Sequence, residues 1–254
     1  MSTVSKLIHG DCLNEMKNIP DKSVDMIFTD LPYGTTQNSW DSIVDLDEMW
    51  CHYERIIKEN GAILLFAQAP FDKILACSNM KLFRYEWIWE KTLATGFLNS
   101  KKMPLKAHEN ILVFYKKLPT YNPIKTTGQR KVSKKASKDK AIKSSNYGKQ
   151  YFRSDYDSTE RYPRSVLTFK SDKQKNYLHP TQKPIELIKY MINTYTNIGD
   201  TVLDSCMGSG TVPTACVELK RYFIGIELQL EYFKIAENRV NLTAGNAGLF
   251  SRTI

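Results

Sequence analysis

Hydrophobic and polar positions follow two rhythms over the first 115 residues. Short apolar runs bounded by turn-forming residues predict strands over 7–8, 24–29, 62–66, 85–89 and 110–115. Apolar residues three and four apart predict helices near 12–18, 46–59 and 71–80. The rhythm is lost at about residue 116 and returns near 184, where Pro184 is placed to open a helix as its first residue and carry it to about Thr196. A strand over 201–203, a helix from about Thr211, a strand over 222–226 and a helix over 230–240 complete the pattern, and 241–254 read as a frayed tail. Seven strands, most of them separated by helices, predict an α/β fold: a mostly parallel sheet with helices on both faces. The strands over 85–89 and 110–115 have no helix between them, so that pair is expected to form an antiparallel edge.

Composition is that of a globular protein: 254 residues, 42% hydrophobic and 25% charged. No apolar stretch nears the roughly 20 residues of a membrane span, and the N-terminus lacks a basic-then-apolar leader pattern, so a cytoplasmic protein without membrane contact is expected. The cysteines, Cys12, Cys51, Cys77, Cys206 and Cys216, are odd in number and form no close pair, which points to reduced thiols and to no metal site.

Charge changes the picture more. Residues 116–175 hold 17 Lys/Arg against 5 Asp/Glu, a balance of +12 within an overall +9, which leaves −3 for the rest. Such a segment suits a polyanion. Its competing reading is a solvated insertion, favoured by "KVSKKASKDKAIKSS" at 131–145. Tyr121, Tyr147, Tyr151, Tyr156, Tyr162 and Tyr177 lie among the charges, and bases stack on such rings, which tilts the reading to nucleic acid. The expected division is 1–115, a basic insertion over 116–178, and 179–254.

In "VLDSCMGSGTV" at 202–212 a strand runs into a glycine turn and then a helix. Gly208 and Gly210 let the backbone turn sharply and approach a ligand. Glu227 ends the next strand, where an acid accepts hydrogen bonds from ribose hydroxyls. No lysine follows the glycines, so this is no P-loop, and Pro213 stands where a dinucleotide fingerprint has its third glycine. The pattern suits a Rossmann-like sheet with a nucleoside-containing cofactor; the plainer reading is a tight turn and a helix-capping acid. "IHGDCLNEM" at 8–16 likewise ends a strand, and Asp11 taken alone is a helix cap. Together, Asp11, Asp30, Asp204 and Glu227 fall at strand ends along one edge of a parallel sheet, where ligands bind.

"IFTDLPYGTTQ" at 27–37 has the composition of a site, not of a core. An amino group on a nucleobase is a poor nucleophile because its lone pair is drawn into the ring. Two acceptors aimed at its N–H bonds return electron density to nitrogen. Asp30 and the Leu31 carbonyl, stiffened by Pro32, are two such acceptors, and Tyr33 is a ring to stack on the base.

"DLPY" resembles the [DNS]-P-P-[YFW] motif of S-adenosylmethionine-dependent amino-methyltransferases, and "LDSCMGSGT" resembles their L-D-P-F-x-G-S-G-T. "HPTQKP" at 179–184 is similar to the box that precedes the glycine turn in the permuted, beta-group bacterial and phage DNA enzymes, in which the catalytic motif comes first, target recognition next and the cofactor glycines last. This resemblance implies a site-specific DNA methyltransferase acting on the N6 amino group of adenine. Asp30, Leu31, Pro32 and Tyr33 are then catalytic. Asp204, Gly208, Gly210, Glu227, Asp11 with Cys12, and Thr181 with Lys183 bind S-adenosylmethionine, the last two beside its methionine part. Leu31 replaces a proline of the motif, and Ser205 and Cys206 replace Pro-Phe. Aspartate in first position favours adenine over cytosine-N4, which stays the alternative; a nicotinamide oxidoreductase or a non-catalytic nucleic-acid binder would leave these motifs unexplained.

The expected partner is double-stranded DNA at the nucleoid. Lys134, Lys135 and Lys138 are expected to supply general attraction, and Arg153, Arg161 and Arg164 the sequence readout. A partner restriction endonuclease and a homodimer are further candidate partners.

Overall fold

The computed structural model describes residues 5–33, 44–134, 142–144, 148–150, 156–170 and 183–246. In chain order the elements are β1 (Lys6–His9), α1 (Cys12–Met16), β2 (Val24–Thr29), α2 (Leu46–Ile56), β3 (Ile57–Ala67), α3 (Phe71–Ser78), β4 (Phe83–Thr95) and β5 (Lys106–Phe114). The short strands β6 (Val132–Lys134), β7 (Ile142–Ser144), β8 (Gly148–Gln150) and β9 (Tyr156–Ser158) follow. Then come β10 (Val166–Phe169), α4 (Ile185–Tyr195), β11 (Thr201–Asp204), α5 (Thr211–Glu218), β12 (Tyr222–Glu227) and α6 (Leu230–Asn246). Among the described residues no helix is long and apolar enough to cross a membrane.

The main sheet has eight strands in the order β1-β12-β11-β2-β3-β5-β4-β10, one more than the seven expected. The addition is β10, a half-exposed strand from within the basic stretch, which pairs in parallel with β4. Its four residues are too short and too mixed to announce themselves. β5 lies antiparallel between β3 and β4. The expected antiparallel pair therefore exists, but inside the sheet: β10 covers β4, satisfying backbone groups that an edge would leave open.

Alternation within the strands sorts the core onto two faces. Ala62, Leu64 and Phe66 of β3 join Trp87, Ile111 and Val113 and pack against α4 and α5 through Leu187, Met191, Val212 and Cys216. Ile63, Leu65 and Ala67, one residue out of phase, join Leu112 and Phe114 and pack against α1, α2 and α3 through Met16, Met49, Tyr53, Phe71 and Leu75. A strand buried on both faces reads as a continuous apolar run for this reason.

Helix ends follow local chemistry. Asp45 caps α2 by accepting from the N–H groups of Asp47 (3.0 Å) and Glu48 (3.1 Å). Pro184 is extended (ψ 127°) and precedes α4 instead of opening it. α6 runs to Asn246, beyond the expected 240, because Val240 and Ala244, one turn apart, are both buried in the core. The rest of the expected tail, 247–254, lies outside the described residues.

The chain divides into two compact units, 1–122 with 165–254, and 123–164. In the smaller one, β6 pairs with β9 and β7 with β8, both antiparallel. Thr126 and Arg161 bridge its ends, and Lys125 binds Glu160 at 2.9 Å.

Where α4 meets the sheet, the buried Tyr195 hydroxyl takes a hydrogen bond from Trp87 Nε1 (2.7 Å) and shares one with Tyr85 (3.0 Å). Tyr195→Phe leaves the indole N–H buried without an acceptor. Urea unfolding should show a loss of about 1–3 kcal/mol; an unchanged midpoint would mean the indole finds another partner.

Candidate active site

The parallel strands β1, β12, β11 and β2 end along one rim. Register sets His9 opposite Glu227, Asp204 opposite Gly225 and Leu203 opposite Ile27. Asp11, Glu227, Asp204 and Asp30 thus gather along it, as the strand-end pattern implies.

Asp11 caps α1, accepting from Asn14 N–H at 3.0 Å. Cys12 follows it, and the interaction of its thiol with that of Cys206 holds Cys12 below its ordinary pKa and, with burial, pushes Cys206 well above.

In the glycine turn Gly208 (φ +51°) and Gly210 (φ +75°) are left-handed. A Cβ on Gly210 would lie 2.8 Å from that of Ala236, so glycine is required there by conformation and by space. Glu227 closes the turn: Oε2 accepts from Gly208 N–H (2.9 Å) and Oε1 from Gln229 N–H (2.8 Å). Burial raises its carboxyl pKa in spite of these bonds. Asp204 is buried and accepts from the Thr29 hydroxyl at 2.7 Å, while Cys206 N–H reaches both Thr29 Oγ1 (3.2 Å) and Asp204 Oδ1 (3.3 Å). Ser205, where the motif has proline, binds the buried Tyr53 hydroxyl at 2.6 Å.

On the other side of the rim the Leu31 side chain is buried, which anchors the Asp30–Tyr33 turn. Both Asp30 oxygens are engaged. Oδ1 accepts from the Tyr33 hydroxyl (2.6 Å) and Oδ2 from Lys183 Nζ (2.5 Å). The Tyr33 ring stacks on Phe71, with centroids 5.3 Å apart and planes at 29°. Lys183 is buried and also lies 3.2 Å from Glu109 Oε2, off the line of a hydrogen bond. Lys91 holds Glu109 Oε1 at 2.6 Å. The result is a chain of alternating charge, Lys91–Glu109–Lys183–Asp30, joining β4, β5, the segment that leads into α4 and the residue that follows β2.

Burial has the largest influence on Asp30, Glu109 and Lys183 alike. It raises Asp30, aided by Glu109 and opposed by Lys183. In Glu109 the lysine charges of Lys183 and Lys91 outweigh burial and hold the carboxyl low, and in Lys183 the two carboxylates outweigh burial and hold the ammonium high.

Lys183, expected beside a cofactor, is thus placed on Asp30. Thr29, Glu109 and Lys91 went unnoticed in the sequence; an acid heading the apolar run "ENILVF" was the available signal for Glu109. Thr181, Lys135, Lys138 and Arg153 lie outside the described residues, and Lys134 ends β6. Arg164 is exposed. The Arg161 guanidinium is turned onto backbone carbonyls of its own unit: Ser158 (3.1 Å), Glu160 (2.6 Å) and Arg130.

Residues 24–238 match the family model described as DNA methylase, of the N6 and N4 type. The DNA adenine methyltransferase YhdJ of Escherichia coli (strain K12) is 28% identical, over 94% of this chain and 83% of its own length. The type II methyltransferase M.HpaI of Haemophilus parainfluenzae is also 28% identical, over 93% and 74%. Among solved structures, the M1.HpyAVI–SAM complex is 26% identical with a TM-score of 0.64, covering 93% of this chain and 98% of that one. The cytosine-N4-specific PvuII DNA methyltransferase shares the fold, with a TM-score of 0.64 at 16% identity over 94% and 87%.

Burial raises the Asp204 carboxyl to about 7 against the pull of Thr29 and the Cys206 N–H, and Asp30 and Glu227 add to the rise. The folded protein therefore takes up this proton below about pH 7, the unfolded chain only below roughly 3.9. The stability Asp204 contributes is full below the unfolded value and is lost as pH rises through 7. Urea unfolding from pH 4 to 8 should show Asp204→Asn flattening that decline; an identical pH dependence in both proteins would rule the linkage out.

Proposed function

The chain belongs to the DNA methylase family, and from that premise we propose that it is a site-specific methyltransferase that moves a methyl group from S-adenosylmethionine to the N6 amino group of adenine in DNA. The observation that carries the reading is the Asp30 site. A carboxylate at a strand end, a neighbouring carbonyl stiffened by Pro32 and a phenol ring at Tyr33 together suit an exocyclic amino group.

The cofactor fits the rim. Gly210 packs directly against Ala236 of α6, which seats the glycine turn at the rim. Each Glu227 oxygen accepts one backbone N–H and keeps a lone pair for a hydroxyl. Asp11, Asp204 and Glu227 with no basic residue in the turn favour a cationic sulfonium ligand over a pyrophosphate, which weighs against a nicotinamide cofactor. When bound, S-adenosylmethionine supplies the activated methyl group. Asp204, Gly208, Gly210, Glu227, Asp11 and Cys12 would hold it, with Thr181 at its methionine end.

The remaining work falls to the other half-site. Asp30 and the Leu31 carbonyl orient the amino group, and Lys183 offsets the cost of a buried carboxylate while holding it in place. The target amino group is paired in duplex DNA, so the base leaves the stack to reach Asp30. The basic stretch binds the phosphates, with Lys134, Lys135 and Lys138 for general attraction and Arg153 and Arg164 for readout; Arg161 serves to brace its own unit. This reading places the protein on nucleoid DNA in the cytoplasm. Its finer form is a type II role beside an endonuclease of the same specificity, supported by similarity to M.HpaI, with a homodimer as a further element.

Two half-sites predict two separable defects. Asp30→Ala should bind S-adenosylmethionine normally in calorimetry while tritiated-methyl transfer to DNA falls by roughly 100-fold or more. Glu227→Ala should weaken cofactor binding by about 1.5–3 kcal/mol. The reverse pattern would overturn the assignment. Lys183→Met removes the cation that favours ionised Asp30, so the acid limb of kcat should move to higher pH, and Lys183→Arg should restore it. An unmoved limb would separate Lys183 from the chemistry.

A further inference from the structure

The β4–β5 hairpin extends beyond the sheet on the side where Asp30 lies. β4 runs parallel to β3 and β2, because β5 is antiparallel to both β3 and β4, so the end of β4 points past the same rim. Every residue from Thr92 to His108 is exposed. The tip is nevertheless an ordered turn: Gly96 is left-handed (φ +90°), Phe97–Asn99 form one 3₁₀ turn, and Asn99 N–H and Ser100 N–H bond back to Gly96 (2.9 Å) and Phe97 (3.0 Å). It holds Phe97 and Leu98 in water, 79% and 99% exposed, with Leu93, Met103 and Leu105 exposed behind them. From Lys91 through Lys106 there are four lysines, both ends included, and no acid, although the chain outside 116–175 carries −3. The base of this hairpin is tied to Asp30 through Lys91, Glu109 and Lys183 at 2.6, 3.2 and 2.5 Å.

We propose that this hairpin is a DNA-contacting wedge: Lys101 and Lys102 meet phosphates, and Phe97 and Leu98 enter the duplex where the target base is drawn out. The proposal rests on the reading of the protein as a DNA methyltransferase. A major groove admits a two-stranded ribbon. Apolar side chains inserted between base steps replace lost stacking, which costs a few kcal/mol per step. A base that leaves the stack for Asp30 opens such a gap beyond the rim, on the side to which the hairpin projects. The exposed tip meets both demands at once, with apolar groups at the apex and cations behind them. A second copy of the chain is the rival occupant, but like-charged lysines on two facing tips disfavour it.

The test uses the full chain and unmodified plasmid DNA. Phe97→Ala/Leu98→Ala should lower kcat/KM for methyl transfer to the duplex by about tenfold or more, with calorimetric binding of S-adenosylmethionine and sedimentation both unchanged. Lys101→Ala/Lys102→Ala should weaken duplex binding and flatten its salt dependence. In Phe97→Trp, duplex DNA should quench the added indole beyond any change in wild type. Full duplex activity in the apolar variant, absence of extra quenching, or an activity loss that tracks a change from dimer to monomer would each overturn the wedge. Absence of methyl transfer to any DNA by wild type would instead sink the methyltransferase reading, and the indole signal would still judge whether the tip enters DNA.

Discussion

Asp30 is a carboxylate at a strand end that is largely withdrawn from water, and the rest of the site is arranged around that cost. Taking one ion out of water costs several kcal/mol unless an opposite charge goes with it. Lys183 supplies that charge at 2.5 Å, but it is itself buried and needs Glu109, which in turn needs Lys91. Alternation of sign keeps the chain neutral as a whole. Loss of Lys183 leaves Asp30 without its cation, and loss of Glu109 or Lys91 leaves a buried inner charge with one partner in place of two, so Asp30 depends on β4 and β5, strands that never reach it.

The rim opposite works by backbone more than by charge. Glu227 takes the N–H groups of Gly208 and Gln229, and Asp204 is tied to β2 through Thr29. The acid that closes the glycine turn is therefore the same acid that the proposed function assigns to the cofactor. Thr29 stands between the two half-sites: it bonds Asp204 and Cys206 and immediately precedes Asp30. In the proposed function a cofactor on one side of β2 and a target base on the other would share that one strand end.

The antiparallel strand β5 has consequences for reach. A helical crossover returns the chain to the far edge before the next parallel strand begins, and keeps the near edge low. A hairpin instead turns back at the near edge, so β4 and β5 carry a ribbon beyond the rim. That geometry gives one short segment both the buried base, Lys91 and Glu109, and the exposed apex, Phe97 and Leu98.

The sequence by itself determined the alternation of strands and helices, the glycine turn with Glu227, and the acid of "DLPY" at a strand end. Each rests on residues adjacent in the chain: apolar runs of a given length, glycines where the backbone turns, a carboxylate where a run stops. Local signals of this kind survive without knowledge of neighbours. Tertiary structure alone decided that β10 is an eighth strand, that β5 lies between β3 and β4, and that Arg161 braces its own unit. It alone decided that Lys183 belongs to Asp30 and that Glu109 and Lys91 complete the charge chain. Those partners are separated by up to 153 positions, and a buried ion pair is fixed by which charges share the same low-dielectric space. Spacing along a chain carries no trace of that space until the sheet has closed around it.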